Sequence, residues 1–521
     1  MKRRILALAL TMPFSLAMFA ACSSPLPTAS APAAVTSAPP EQTQDAASGE
    51  TAAPETPSAP PVTLPPATPP PAPNNPFPFK TDYAVAPATP SGDIAPDDYV
   101  MKLFSEILNE NLIVDSSSPA DKDGFRMVLQ HTLWWELSED AGGDRISYSS
   151  INVSESQGYG MLMLAYMSGC EQRLNESGYT WIYGCESLQQ YYDAMLRTVQ
   201  RFPSSIGPNL FTWELFGYRD AQHPEGYVIE DGIKKAPFYQ DSGDADSALD
   251  GDMDIIYSLL LADKQWGSGG RYDYKGIALT MLGDLWDYCV HREYKTLLLG
   301  DWASRTRDSV LNSATRSSDF MLGHLAAFAA ADPDHDWNAV LKATCGVIAD
   351  VRDAENALGE AHKTGLLPDF IIRKDDKWVV PDGYVLEGND GDFSYNACRV
   401  PWRLGAYYLL YGDVELGNGE TLLSACIAPM DAFAKAKADF GGANDLSGFG
   451  PIDLTGDNSN YGYTEPTLFA PPFLVTAAAG GNAEWAGLFY TGGAAEFTGD
   501  TYSDYIKLLV LLTASGNWWL P

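Results

Sequence analysis

VSESQGYGMLM, Val153–Met163, continuing through LAYM to Met167, is the stretch on which the reading of this chain turns. It sets Glu155 just ahead of a Gly–aromatic–Gly turn, Gly158, Tyr159 and Gly160, that leads into the apolar run MLMLAYM. Glycines there let the backbone turn tightly and approach a ligand closely. A carboxyl held between such a turn and an apolar helix is partly desolvated, which disfavours its charged form and raises its pKa. A general acid needs that rise to keep a proton near neutral pH. A plain helix start, with Ser154 or Glu155 as its cap, explains the same letters. The rest of the chain decides between them.

Around this stretch the pattern is mostly helical. YVMKLFSEILNENLI, LQQYYDAMLRTVQRF, MDIIYSLLLADKQW, YKGIALTMLGDLWDYCV, DFMLGHLAAFAAA and WRLGAYYLLYG carry apolar residues at i, i+3 and i+4. Gly, Asp, Asn and Pro punctuate the stretches between them, and strand-like alternation is scarce. About a dozen helices with substantial loops suggest paired helices in a closed ring, and the lack of a fixed 34- to 45-residue repeat argues against a regular solenoid.

The first 22 residues read as an export signal. Lys2, Arg3 and Arg4 are a basic start, Ile5–Ala21 is apolar, and FAAC ends at Cys22 before Ser23 and Ser24. Small residues before Cys22 resemble a bacterial lipoprotein processing site, with Phe19 at a position usually aliphatic, so plain cleavage and secretion stays open. Lipidation at Cys22 would tether the chain outside the cytoplasmic membrane. Residues 23–79 are rich in Pro, Ala, Thr and Ser, with runs such as PPVTLPPATPPPAP. Proline lacks the donor and fixes φ, so this is an extended spacer. Residues 80–521 then form one large domain with no second Pro-rich break.

The six cysteines after Cys22 include no CxxC pair, and no HExxH occurs, so neither a metal nor another cofactor is expected. Cys170 and Cys185 flank a short segment and fit either a disulfide or two buried thiols. A net charge of −35 excludes nucleic acid as the partner. It suits a neutral or cationic polymer, or merely keeps an exported protein soluble. The chain is taken as a monomer that meets a membrane only through its N-terminal lipid.

Two further clusters carry chemistry. In SALDGDMDIIYSLLLADKQW, Ser247–Trp266, Asp250, Asp252 and Asp254 crowd a helix start. Three carboxylates so close repel unless a proton, a metal or a cationic transition state relieves them. An EF-hand loop from Asp250 would need Gly and Glu where Ile255 and Leu261 stand, which discounts it. A favourable interaction with the helix N-terminus would explain one or two of the three. In EGNDGDFSYNACRVPWRLGAYYLLYGD, Glu387–Asp413, Tyr395, Asn396, Arg399, Trp402 and Arg403 stand at another helix start. Arginines there can orient carboxylates in pairs, or, for Arg403 especially, form a buried Arg–Asp lattice. Among the many aromatics, including Trp134, Trp135, Tyr239, Tyr461 and Tyr463, Trp213 in NLFTWE is the preferred stacking face for a sugar.

Together the three segments resemble the family 8 glycoside hydrolases. VSESQGYGMLM is similar to that family's VSEGQGYGM motif with Ser156 where Gly is usual. ALDGDMDIIYSLLLADKQW is similar to its A-[ST]-D-[AG]-D signature with Leu249 at the hydroxyl position and Ile256 in place of Ala. SYNACRVPWRL matches its late helix-start motif. The resemblance implies an all-α (α/α)6 barrel and inverting hydrolysis of β-linked polysaccharide. It makes Glu155 the proton donor and Asp250 the carboxylate that holds a distorted sugar. Asn396 stands where many members carry an Asp base; in the subgroup with Asn, which includes chitosanases and mixed-linkage glucanases, the base resembles a Glu in the preceding loop. That implies Glu387, with Asp390 and Asp392 as alternatives; beside it, Arg399 and Tyr395 are read as lying on the water side and Trp213 as the stacking face. Expected substrates are β-1,4 or β-1,3-1,4 glucan, with chitosan as the alternative; a tethered polysaccharide-binding protein without catalysis is the rival reading.

Overall fold

Outer helices that bury one stripe and inner helices, most of them buried nearly all round, alternate along this chain, and that alternation builds its architecture. In the computed structural model the described residues are 72–89, 95–131, 136–141, 144–220, 224–241, 245–306, 308, 310–386, 388–490 and 496–521. Cys22, the expected signal, the spacer up to residue 71, Trp134, Trp135 and Glu387 lie outside them.

Six inner helices follow one another around a ring: Ser154–Met167, Leu249–Trp266, Leu322–Ala331, Val400–Tyr411, Phe473–Ala479 and Thr501–Ala514. Each packs on the next, and the last closes on the first. Between them in sequence run the outer helices. Pro96–Glu110 lies on Thr501–Ala514, Leu188–Arg201 on Ser154–Met167, Tyr274–Cys289 on Leu249–Trp266, and Trp337–Leu358 on Leu322–Ala331. Ala428–Lys437 and Ala483–Phe489 both lie on Phe473–Ala479. The result is an (α/α)6 barrel.

Sequence chemistry explains the two rings. Leu188–Arg201 buries Leu188, Tyr191, Tyr192, Met195, Leu196 and Val199 and keeps a polar face outward, as a helix with one neighbour layer must. Inner helices have more neighbours and bury more of their surface; every residue of Ser154–Met167 is buried except Glu155. The i, i+3, i+4 rule finds both kinds but cannot tell them apart.

Gly158, Tyr159 and Gly160, read as a turn, sit inside that helix. The glycines serve packing. A Cβ on Gly158 would lie 2.7 Å from Asp254 Cβ, and one on Gly251 would overlap the side chain of Ser154. The first two inner helices therefore approach so closely that neither position accepts a side chain.

Strands are more numerous than the alternation suggested. One sheet has the order Met127–Leu129, Leu112–Asp115, Ile233–Ala236, Val228–Glu230; a second has Lys377–Val379, Phe370–Lys374, Thr315–Arg316. The third, antiparallel throughout, runs Glu136–Ala141, Asp144–Val153, Glu214–Arg219, Phe238–Tyr239. Its register shifts between Ser150 and Asn152, a bulge of the kind that re-aims a strand, and the strand then enters the Glu155 helix directly. Leu112–Asp115 is buried at every position and so shows no alternation to read.

Residues ahead of 79, the expected end of the spacer, already pack on the barrel. Asn74 N donates to Gln265 O at 3.0 Å, and Phe77 is 4% exposed. Cys170 and Cys185 are separate buried thiols, which removes the disulfide alternative.

Candidate active site

Three helix starts converge on one point. Ser154 N donates to Trp213 O at 2.7 Å and Trp213 N donates to Asp246 O at 2.8 Å, so the Trp213 backbone links the start of the Glu155 helix to the segment entering the Asp250 helix. Trp213 is partly exposed there. Buried Asn152 donates from Nδ2 to Leu129 O at 2.7 Å and to Ser156 Oγ at 2.9 Å. Ser156, the departure from the resembled motif, donates in turn to Val153 O at 2.8 Å. Its hydroxyl thus ties the first turn that presents Glu155.

Arg399 opens the third element, just ahead of Val400–Tyr411. Its Nη1 donates both to Glu155 Oε1 and to Asp250 Oδ2, the latter at 2.9 Å. Arg399, expected on the water side of the reaction, lies between the two carboxyls, with Nη1 answering both while Nε and Nη2 turn to Asn396. The Tyr159 hydroxyl also donates to Glu155 Oε1. Arg316 Nη2 reaches Asp250 Oδ1 at 3.4 Å while its Nε pairs with Asp319 Oδ2 at 3.2 Å.

These partners drive the two carboxyls apart. Burial pushes Glu155 up to about 7, with Arg399, the Tyr159 hydroxyl and Arg316 pulling down and Asp250 adding to the rise. Burial also opposes charge on Asp250, but Arg316 and Arg399 outweigh it and hold that carboxyl below the usual range. One site therefore contains a carboxyl that keeps its proton near neutrality and another that is ionised. Two such environments side by side are how acid and anion roles are divided. Burial raises Asp319 to about 6 against the pull of Arg316.

The other two aspartates of the crowded helix start are structural. Asp254 pairs with Arg403 through both nitrogens, at 3.0 and 2.5 Å, and with His324 Nε2 at 2.8 Å, which is the buried lattice foreseen for Arg403. Asp252 accepts from Phe211 N at 2.9 Å, and burial raises its pKa well above the ordinary value.

Asn396 Oδ1 accepts from Arg399 Nη2 at 3.2 Å. Tyr395 directs its hydroxyl to Glu465 Oε2 at 2.7 Å and lies 3.1 Å from the Tyr463 hydroxyl. Of the loop carboxylates, Asp390 is 1% exposed and its Oδ2 accepts from Val385 N and Leu386 N, pinning the backbone just before residue 387. Asp392 accepts from the Tyr461 hydroxyl at 3.2 Å. Asp390 is thus a loop clamp, and Asp392 is the more accessible of the two alternatives. Arg316, Asp319, Asp369 and Glu465 escaped the sequence reading; RSSD and PDF, the tetrapeptide and tripeptide that carry the first three, match no catalytic spacing, and only the fold brings them to the site.

The family model described as Glycosyl hydrolases family 8 matches residues 231–427, a span with Asp250, Asn396 and Arg399 but not Glu155. A "Beta-glucanase" of Niallia circulans is 32% identical over 450 residues, 86% of this chain and 91% of that protein. An "Endoglucanase" of Bacillus sp. (strain KSM-330) is 30% identical over 383 residues, 73% of this chain and 70% of its own. Among solved structures, an apo beta-1,3-1,4-glucanase from Paenibacillus sp. X4 superposes with a TM-score of 0.66 at 30% identity, covering 86% of this chain and all of that one. With the ring, the convergent helix starts and these similarities in place, the chain belongs to the glycosyl hydrolases of family 8.

Proposed function

We propose that the chain cleaves β-1,4 or mixed-linkage β-1,3-1,4 glucan with inversion at the anomeric carbon. The observation that carries this reading is the pair under Arg399: Glu155 raised to about 7 beside an ionised Asp250. Glu155 donates its proton to the glycosidic oxygen as the bond to C1 breaks. Glu387 takes a proton from a water that attacks C1 from the opposite face, and the product leaves as the α-hemiacetal. Asp250 holds the sugar hydroxyls at the cleavage point and its charge favours the oxocarbenium-like transition state. Trp213 offers a stacking face. An inverting acid and base stand roughly 6.5–9.5 Å apart to admit the water. The β-glucanase and β-1,3-1,4-glucanase relatives support glucan as the polymer.

Asn396 and the net charge of −35 favour chitosan as the second candidate. The test is release of reducing ends by the full chain from barley β-glucan, carboxymethylcellulose, chitosan and xylan, with Glu155→Gln and Glu387→Gln beside it. Cleavage of a glucan that both variants lose supports the assignment; cleavage confined to chitosan moves the substrate; activity retained in Glu387→Gln moves the base to Asp392 or Asp390. Wild type that binds polymer and releases nothing makes the chain a binding protein. The proposal extends to location: an exported chain tethered through lipid on Cys22, which Cys22→Ala would release from the membrane fraction.

A further inference from the structure

Asp369 is 3% exposed, stands immediately before the strand Phe370–Lys374, and has no part in the reaction just described. Its Oδ1 accepts from Ser394 N at 3.0 Å and from Ala397 N at 2.6 Å. Its Oδ2 lies 3.5 Å from Asn396 Nδ2. Its own backbone is held on both sides, its N donating to Asp392 O at 2.8 Å and its O accepting from Ser317 N at 3.1 Å. Asn396 in turn accepts on Oδ1 from Arg399 Nη2 and on its backbone O from Arg399 Nε, each at 3.2 Å. Arg399 ends on Glu155 and Asp250.

An amide has two unlike ends: its NH2 only donates and its carbonyl only accepts. Arg399 only donates, so the Asn396 carbonyl faces it and the NH2 is left to face Asp369 Oδ2. A carboxylate at 396 would set two anions against each other in a buried site.

We propose that Asp369 is a positioning residue for catalysis: it fixes the amide of Asn396, and Asn396 fixes the guanidinium of Arg399 on the Glu155–Asp250 pair. The proposal rests on the hydrolase reading above. On this account the amide at 396 is a polarity-matched connector rather than a lost base, and its partner carboxylate is one layer further from the substrate. Burial raises Asp369 to about 7 even against the lowering pull of the Ala397, Ser394 and Asn396 N–H groups.

The donor pattern supplies its own test. The backbone N–H groups of Ser394 and Ala397 fall on Oδ1 of Asp369, so the amide introduced by Asp369→Asn would keep those two on its carbonyl while turning its NH2 toward residue 396. Asp369→Asn alone then faces NH2 with NH2, and Asn396→Asp alone faces carboxylate with carboxylate. The double change Asp369→Asn/Asn396→Asp restores donor to acceptor between the side chains of residues 369, 396 and 399. The measurement is kcat and KM of the full-length wild type, both single variants and the double variant on the polymer that the wild type cleaves, with a thermal melt of each. Each single variant loses kcat by about 10- to 100-fold with little change in KM, the scale of a displaced catalytic group, and the double variant recovers at least about tenfold over either, a coupling that independent sites do not show. Equal kcat in Asp369→Asn and wild type overturns the proposal. So does an active Asn396→Asp single variant, which would make residue 396 a base in its own right, and so does an additive double variant whose melt matches wild type. A single variant that fails to fold shifts the decision to the double variant, where recovery supports the proposal and persistent loss in a folded protein overturns it. A wild type inactive on every polymer overturns the hydrolase reading instead.

Discussion

A carboxyl group keeps its proton near pH 7 instead of losing it near 4.5 when its charged form is starved of water, and Glu155 meets that condition with only Arg399, Tyr159 and Arg316 to offset the loss. Replacing it by Gln keeps the shape and removes the proton, and kcat should fall by about 10²- to 10⁴-fold, the range for a positioned general acid, in reducing-end assays. In the wild type, activity should decline as pH rises through about 7, where Glu155 ionises. Stability follows the same group. The folded pKa lies above the unfolded one, so between about 4.5 and 7 the folded state holds more protons, and this contribution to stability shrinks as pH rises through that window. Urea unfolding at about pH 5 and about pH 8 should show a steeper loss for wild type than for Glu155→Gln; equal slopes would refute the assignment. The desolvated setting of Glu155 was legible because its motif puts a carboxyl against an unbroken apolar run. The contacts of Asp369 and Arg316 were not, because each meets, across the fold, residues that no local pattern connects to it.

Helix packing places that carboxyl, and two glycines set the packing. Alanine is a better helix former than glycine by about 1 kcal/mol, yet Gly158→Ala and Gly251→Ala should each destabilise the protein by about 1–3 kcal/mol, because the added methyl meets Asp254 Cβ in one case and Ser154 in the other. Chemical denaturation checks it, and a gain in stability would mean the helices are farther apart than described. Arg403 poses the corresponding electrostatic case. Arg403→Met leaves Asp254 buried with only His324, and should cost about 3–5 kcal/mol. Gly158 reads as part of a turn from sequence because glycine permits turns; only the neighbouring helix reveals that here it permits contact.

The ring itself was foreseeable, since a dozen apolar-periodic segments in one domain have few ways to cover one another. What sequence could not separate was inner from outer helix, because both satisfy the same spacing and differ in how much of the opposite face is also buried. The short sheets were hidden for a related reason: strands of two to four residues that are wholly buried, such as Leu112–Asp115, have no alternation to detect. At this scale the net charge of −35 also acts. Retention of cationic chitosan should weaken severalfold as salt rises from about 0.01 M to 1 M and the screening length falls from about 30 Å to 3 Å, while retention of neutral barley glucan should not change. Affinity electrophoresis reads both.

The most direct measurement of the whole account is the anomer first released from barley β-glucan, followed by proton NMR from the moment full-length enzyme is added. Inversion by Glu155 and a water-activating base predicts the α-hemiacetal, with the β form growing only by mutarotation. Initial release of the β form would mean retention through a covalent intermediate and would contradict the account.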